Sequence, residues 1–383
     1  MNLTTHLDGD VLTVALNGHL DAISAPALED QPSVHGIREL ALDLAACPFV
    51  SSAGLRAILS LHRRMTEAGG RLVVRDPIAA VREVFEITGL SKFLAIARTP
   101  REISIEGLEM LSSGVCGECF RLDRETVVKL YKEGVAPDIA EQEKRYAKAA
   151  FVMGIPTAIS YDVVKCGTRS GIVFELLDAE LFSAVIRREP QDVDRHAKRL
   201  SDLCQTLHAA AGDRSILPDL KERFRDYIRQ LDGTLAPHES AVLLDRLQAL
   251  PDAATCVHFD LHSSNIMVQK GELVIIDMGD FSIGSNLFDI GLIYMIYGVP
   301  ELGMCTLATK IDTALGLEFW NRFAEHYFAD RRPEERAFFE ANRHFLASLR
   351  IIYAITYLTH LRGELVRLLK QVLLPRIMER SPA

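Results

Sequence analysis

The chain has 383 residues, 48% of them hydrophobic and 25% charged, and a net charge of −9. That length exceeds what one core usually organises, so two or three folding units are expected, and the composition excludes long disorder. The acidic balance excludes nonspecific nucleic-acid binding as a function, although local backbone amides can still hold a small anion. Seven scattered cysteines (Cys47, Cys116, Cys119, Cys166, Cys204, Cys256 and Cys305) do not read as a disulfide framework and suit a reducing, cytoplasmic setting. The opening MNLTTHLDGD lacks the basic and apolar regions of a signal peptide. The most apolar late run, FLASLRIIYAITYLTHL (345–361), carries Arg350 and reads as a buried helix rather than a membrane span.

In chain order, VLTVALNG (11–18) is a strand ended by Gly18, and ELALDL (39–44) is a second strand. SAGLRAILSLHRRMTEAGG (52–70) has helical apolar spacing and closes on two glycines; RLVVRD (71–76) is a strand and VREVFEITGL (81–90) a helix. This alternation predicts a small α/β domain over 1–100, a sheet with helices packed on it. ARTPREISIEG (97–107) breaks the pattern with Pro100 and charge and marks the boundary. A β-rich stretch follows (EMLSSG, ECFRL, TVVKLY), then a helix near 138–153 and a strand pair ending in GIVFELL (171–177). From about 179 the periodicity is helical, interrupted by one hairpin over 266–277. The expected second domain is therefore α+β and two-lobed over 106–383, with a small lobe at 106–178 and a helical lobe at 179–383.

The strongest chemical signal is HFDLHSSNIMVQKGELVIID (258–277). Asp260 and Asn265 sit on a short loop, and two strand arms of matched length return Asp277 to the neighbourhood of Asn265. Two carboxylates and an amide oxygen thus converge. Phosphoryl transfer needs such a set, because its catalysis is mostly positioning and charge neutralisation. Asp260 is assigned as the base that takes the acceptor proton, and Asn265 and Asp277 as oxygen ligands of Mg²⁺. Cys116-x-x-Cys119 has no partner pair at zinc-site spacing and reads as two small residues of a turn.

The H-x-D-x-x-x-x-N loop followed by I-I-D after a hairpin resembles the aminoglycoside phosphotransferase and choline kinase-like group, a branch of the protein-kinase-like fold. The resemblance implies ATP as phosphoryl donor. It places Gly114 and Gly117 of SSGVCGECF in a glycine-rich turn over the phosphates, and Lys129 of TVVKLY on the α- and β-phosphates. It pairs Lys129 with a helical glutamate, Glu143, with Glu141 as the alternative. It puts Glu175 and Leu177 of FELL where backbone groups hold adenine, and Asp289 of NLFDIGLIY where it braces the catalytic loop. His258 then stabilises that loop by hydrogen bonds. Asp289 follows Asp277 by only twelve positions, too short a link for a peptide-docking activation segment, which favours a small hydroxylated acceptor. The chain departs from the protein-kinase pattern in having Met278–Gly279–Asp280 after Asp277 and Phe259 before Asp260. His208 reads as a packed helix histidine.

Residues 1–98 resemble a STAS domain of the kind found in bacterial anti-sigma factor antagonists, through LNGHLDAISAPAL (16–28), LALDLAACPFVSSAGLRAIL (40–59), the GGRLVV strand and VREVFEITGLSKFLAI (81–96). The resemblance implies a protein partner and a phosphorylatable serine at Ser52, with Ser51 where many members carry Asp. On physical grounds alone Ser52 reads as a helix N-cap. Two functions stay open: a small-molecule kinase coupled to a STAS module, and a signalling switch in which the kinase-like domain modifies Ser52 or a partner, or only senses nucleotide.

Overall fold

The computed structural model describes residues 1–30, 36–136 and 138–379. They form two compact units, one running to Arg101 and one beginning at Glu102.

The first unit contains β1 (Asn2–Asp8), β2 (Val11–Asn17), α1 (Ala25–Glu29), β3 (Glu39–Ala46), α2 (Ser52–Glu67), β4 (Arg71–Arg75), α3 (Ala79–Ile87) and β5 (Ala95–Ala97). The sheet order is β1-β2-β3-β4-β5; β1 and β2 pair antiparallel and the remaining pairs are parallel. Strand β3 is buried along Leu40, Ala41 and Leu42, as a strand covered on both faces must be. Helix α2 turns Ala57, Ile58, Leu61 and Met65 to the core, and α3 adds Val81 and Phe85. One expectation is corrected here. The N-cap of α2 is Ser51, not Ser52: Ser51 has extended backbone (φ −84°, ψ 173°) and its hydroxyl accepts the Gly54 N–H at 3.3 Å. Ser52 is already helical, so its hydroxyl is left exposed at the first turn.

The second unit opens with a six-stranded sheet of order β6-β10-β11-β9-β8-β7. Its strands are β6 (Arg101–Glu102, where the division between the units falls), β7 (Met110–Ser113), β8 (Gly117–Arg121), β9 (Thr126–Tyr131), β10 (Ser160–Cys166) and β11 (Arg169–Glu175), with α4 (Asp138–Val152) between β9 and β10. The pairs from β10 to β7 are antiparallel. The helical part follows: β12 (Glu180–Leu181), α5 (Phe182–Arg188), α6 (Val193–Ala209), α7 (Leu220–Arg229), α8 (Pro237–Ala249), β13 (Thr255–Val257), β14 (Ile266–Gln269), β15 (Glu272–Ile275), β16 (Ser282–Gly284), α9 (Leu287–Tyr297), α10 (Met304–Thr309), α11 (Thr313–Phe328) and α12 (Pro333–Tyr357). Besides the expected β14–β15 hairpin, β12 joins β14 and β13 pairs with β16. These are two- and three-residue strands, too short to leave a periodic signal in sequence.

Every residue of α9 is buried. It can cross α12 closely because residue 291 is glycine: a Cβ there would lie 2.5 Å from the Leu346 Cβ and 2.9 Å from its backbone carbon. Gly291→Ala is therefore expected to destabilise the unit by about 1–3 kcal/mol through overpacking, read as a lower urea midpoint. An unchanged midpoint would mean that the two helices separate without cost. No helix among the described residues is long and apolar enough to cross a membrane.

Candidate active site

Strand β9 alternates. Val128 and Leu130 pack into one apolar layer, while Tyr131 packs with Ala140 of α4 on the other face. Lys129 shares that second face, so its ammonium reaches α4. There it donates to Glu143 Oε1 at 3.0 Å and Oε2 at 2.9 Å, and to Asp277 Oδ1 at 2.8 Å. The Tyr131 hydroxyl donates to Glu143 Oε2 as well. Of the two glutamates considered, Glu143 is buried and paired, whereas Glu141 is exposed. Burial alone would lower the Lys129 pKa, but Asp277 and Glu143 outweigh it and hold it well above the usual lysine value. Burial raises and Lys129 lowers the Asp277 pKa, with a net shift downward. The site therefore presents a fixed ammonium and an ionised carboxylate side by side.

The loop carrying Asp260 hangs on one buried carboxylate. Asp289, fully buried near the start of α9, accepts the His258 N–H at 3.0 Å through Oδ2 and the Phe259 N–H at 2.6 Å through Oδ1. His208 Nε2 lies 3.1 Å from Asp289 Oδ2, and its Nδ1 lies 3.1 Å from the Tyr327 hydroxyl. His208 thus packs, and it also orients Asp289. The His258 ring is buried; its Nδ1 accepts the Asp260 N–H at 3.2 Å, which leaves Nε2 to donate to the Ile276 carbonyl at 3.1 Å. These bonds hold Phe259 at φ +60°, a strained conformation for a non-glycine residue, immediately before Asp260.

The β14–β15 hairpin turns at Lys270–Gly271, both with positive φ, as a two-residue hairpin loop requires. Its register pairs Ile266 with Ile275, and the Ile276 N–H reaches the Asn265 carbonyl at 3.0 Å, so Asp277 comes back beside the loop. Asp277 itself has φ +64°. The Asn265 amide nitrogen donates to the Asp260 carbonyl at 2.9 Å and to Asp260 Oδ2 at 3.0 Å. Both its protons are spent on Asp260, and its Oδ1 accepts nothing among the described residues. An amide oxygen and a carboxylate with one oxygen uncommitted are the hard donors a magnesium ion takes, so the residues present fit that ion.

The other Asp260 oxygen, Oδ1, meets Arg350 Nη2 of α12 at 2.9 Å. Arg350 also donates through Nη1 to the Phe259 carbonyl at 3.2 Å and to Asp280 Oδ2 at 2.5 Å, and the Tyr353 hydroxyl donates to Asp280 Oδ1 at 2.7 Å. Sequence reasoning did not place Arg350, Asp280, Tyr131 or Tyr353 in the site. The available signals were a lone charge within an apolar helix and a tyrosine two positions from Lys129 on the same strand face.

In the turn between β7 and β8, a Cβ on Gly117 would sit 2.6 Å from the Leu130 carbonyl oxygen, so glycine is required for the strands to approach. Gly114 has space around it, but its N–H closes the turn on the Gly117 carbonyl at 2.8 Å. The Val115 and Cys116 amides at the tip of the turn have no hydrogen-bond partner among the described residues. At the far end of β11, the Glu175 N–H bonds the Ile159 carbonyl at 3.0 Å, and its carboxylate accepts the Ile159 N–H at 2.8 Å. The Leu177 N–H has no partner among the described residues. Cys116 and Cys119 are free thiols, and burial pushes the Cys119 thiol up, away from thiolate reactivity.

This arrangement is that of a kinase-like phosphotransferase. Residues 112–339 match the sequence model of the phosphotransferase enzyme family, and the chain belongs to that family. Residues 2–103 match the STAS domain. A Bordetella bronchiseptica protein described as an anti-sigma factor antagonist, BtrV, is 32% identical over 102 residues, 26% of this chain and 88% of that protein. The anti-sigma-B factor antagonist of Listeria monocytogenes is 26% identical over 110 residues, 27% of this chain and 96% of that one. Among solved structures, the ADP-bound aminoglycoside phosphotransferase APH(2'')-Ib is 19% identical with a TM-score of 0.45, covering 68% of this chain and 92% of that chain. An ethanolamine kinase of Plasmodium vivax is 15% identical with a TM-score of 0.49, covering 72% and 85%.

Proposed function

We propose that the second unit transfers the γ-phosphate of ATP to a hydroxyl of a small molecule. The observation that carries this reading is the Lys129 ammonium, held between Glu143 and Asp277, with Asp260 and Asn265 hydrogen-bonded to each other on the adjoining loop. Lys129 binds the α- and β-phosphates, the Val115 and Cys116 amides face the phosphate oxygens, and the Leu177 N–H with the Glu175 carbonyl holds adenine. Asp260, fixed by Asn265 and Arg350, orients the acceptor hydroxyl and takes its proton. Asn265 and Asp277 would hold Mg²⁺, which supplies charge neutralisation between the phosphates. The domain division underlying this reading is a STAS module over 1–100 and a phosphotransferase over 106–383.

The test is Mg²⁺-dependent thermal stabilisation by ATP, followed by ADP release with candidate acceptors. Ligand at about a hundred times its dissociation constant stabilises by about 2.7 kcal/mol. No shift with ATP and Mg²⁺ would overturn the nucleotide site.

A second reading has its own observation. Ser52 is exposed at the first turn of α2, and the nearby Phe49 is 50% exposed. This suits a protein-docking face on which a phosphate would add about two negative charges beside free helix amides. In this reading the kinase-like unit modifies Ser52 or a bound partner, or reports nucleotide occupancy. Mass spectrometry after incubation with ATP decides: phosphate on Ser52 that is absent in Asp260→Asn supports self-modification, and an unmodified Ser52 beside small-molecule turnover removes it.

A further inference from the structure

The wall beside Asp260 is built differently from a site for a cationic acceptor. Both carboxylates there are already engaged, Asp260 by Arg350 and Asn265, and Asp280 by Arg350 and Tyr353. Three tyrosines line up next to them: Tyr227 lies 5.3 Å from Tyr353 and Tyr353 lies 4.7 Å from Tyr357, ring centre to ring centre. Against this row stands Arg223 of α7. Its guanidinium packs 5.5 Å from the Tyr227 ring centre and 6.0 Å from that of Tyr353, while Arg350 packs 5.1 Å from the same Tyr353 ring. Arg223 is half-buried, and its Nε donates to the Tyr227 hydroxyl at 2.9 Å. Among the described residues it makes no ion pair, and its two terminal amino groups bond nothing.

A half-buried guanidinium whose only hydrogen bond is through Nε, to a neutral hydroxyl, keeps both terminal amino groups open to a ligand. Its planar fork matches a carboxylate or a phosphate. We propose that the acceptor is a hydroxyl compound bearing a carboxylate or phosphate group, which Arg223 binds while the hydroxyl lies at Asp260. This rests on the phosphotransferase reading above. In the transfer, the acceptor oxygen bonds to the γ-phosphorus, the bond from that phosphorus to the bridging oxygen of ADP breaks, ADP leaves, and the hydroxyl proton passes to Asp260. On this wall a polyamine would meet the Arg223 charge, while Asp260 and Asp280 are already paired with Arg350.

The experiment compares D-glycerate and sn-glycerol 3-phosphate with ethanolamine and kanamycin, reading ADP release and, separately, calorimetric binding to the full chain. The expected result is turnover with an anionic probe, a KM for it at least about tenfold higher in Arg223→Ala, and partial recovery in Arg223→Lys, with thermal midpoints showing that both variants are folded. The two anionic probes separate carboxylate from phosphate recognition. Preference for the cationic probes, or an anionic probe whose binding is indifferent to Arg223→Ala, overturns the proposal. Binding of an anionic probe that depends on Arg223 without any ATP consumption keeps the anion site and removes the kinase reading. ATP consumption without anion binding does the reverse.

Discussion

Asp260→Asn is expected to lower phosphoryl transfer by about 10²–10⁴-fold while leaving ATP binding in place. The substitution keeps the shape of the side chain and its acceptor oxygen for Arg350 Nη2, a contact of 2.9 Å in the native protein. What it removes is the second carboxylate oxygen, which accepts from Asn265 at 3.0 Å, and with it the ability to take a proton. The nucleotide contacts assigned to Lys129, Val115, Cys116 and Leu177 do not involve residue 260. Single-turnover measurement with saturating ATP isolates the step, and a thermal shift with ATP reports binding. Native transfer rates in Asp260→Asn would show that the proton goes elsewhere and that residue 260 is not the base.

Asp277→Ala is expected to abolish the Mg²⁺-dependent part of ATP stabilisation, about 2.7 kcal/mol under the hundredfold-excess condition, with little effect on the stability of the nucleotide-free protein. The reason for the second half is geometric. Lys129 keeps both oxygens of Glu143, at 3.0 and 2.9 Å, when Asp277 is gone. Lys129→Ala differs in kind: it strips a carboxylate that is 1% exposed of its counter-charge. Removing one partner of such a buried pair costs about 3–5 kcal/mol. Urea unfolding of the two variants separates them. Equal loss of stability in both would mean that Asp277, not Glu143, is the structural partner of Lys129.

The part of the site that lies close in sequence was legible. The spacing from Asp260 to Asn265 and the matched arms on either side of Gly271 define their own geometry, because a hairpin of fixed register returns its end to its beginning. Helical phase bears on the choice between Glu143 and Glu141, because Glu143 shares the buried face of α4 with Ala147 and Ala150. The clamp on Asp260 was not legible. Arg350 reaches the loop only because α9 and α12 cross at Gly291, and a crossing between distant helices leaves no local pattern. Its signal was indirect: a charge inside the apolar run 345–361 needs a partner, without saying which. The cap of α2 was misplaced for a smaller reason. Two adjacent serines carry the same capping chemistry, and only the backbone turn into the helix, at Ser52, decides between them.

The clamp also orders events during synthesis. Arg350 lies ninety positions beyond Asp260, so the whole motif emerges from the ribosome well before the residue that clamps Asp260. Domains fold largely as units as the chain lengthens. A nascent or truncated chain ending before α12 carries His258, Asp260, Asn265 and Asp277 but leaves the Phe259 carbonyl and Asp260 Oδ1 without their guanidinium. The bonds that hold the Asp260 loop are therefore completed only when the last long helix, α12, has joined the fold.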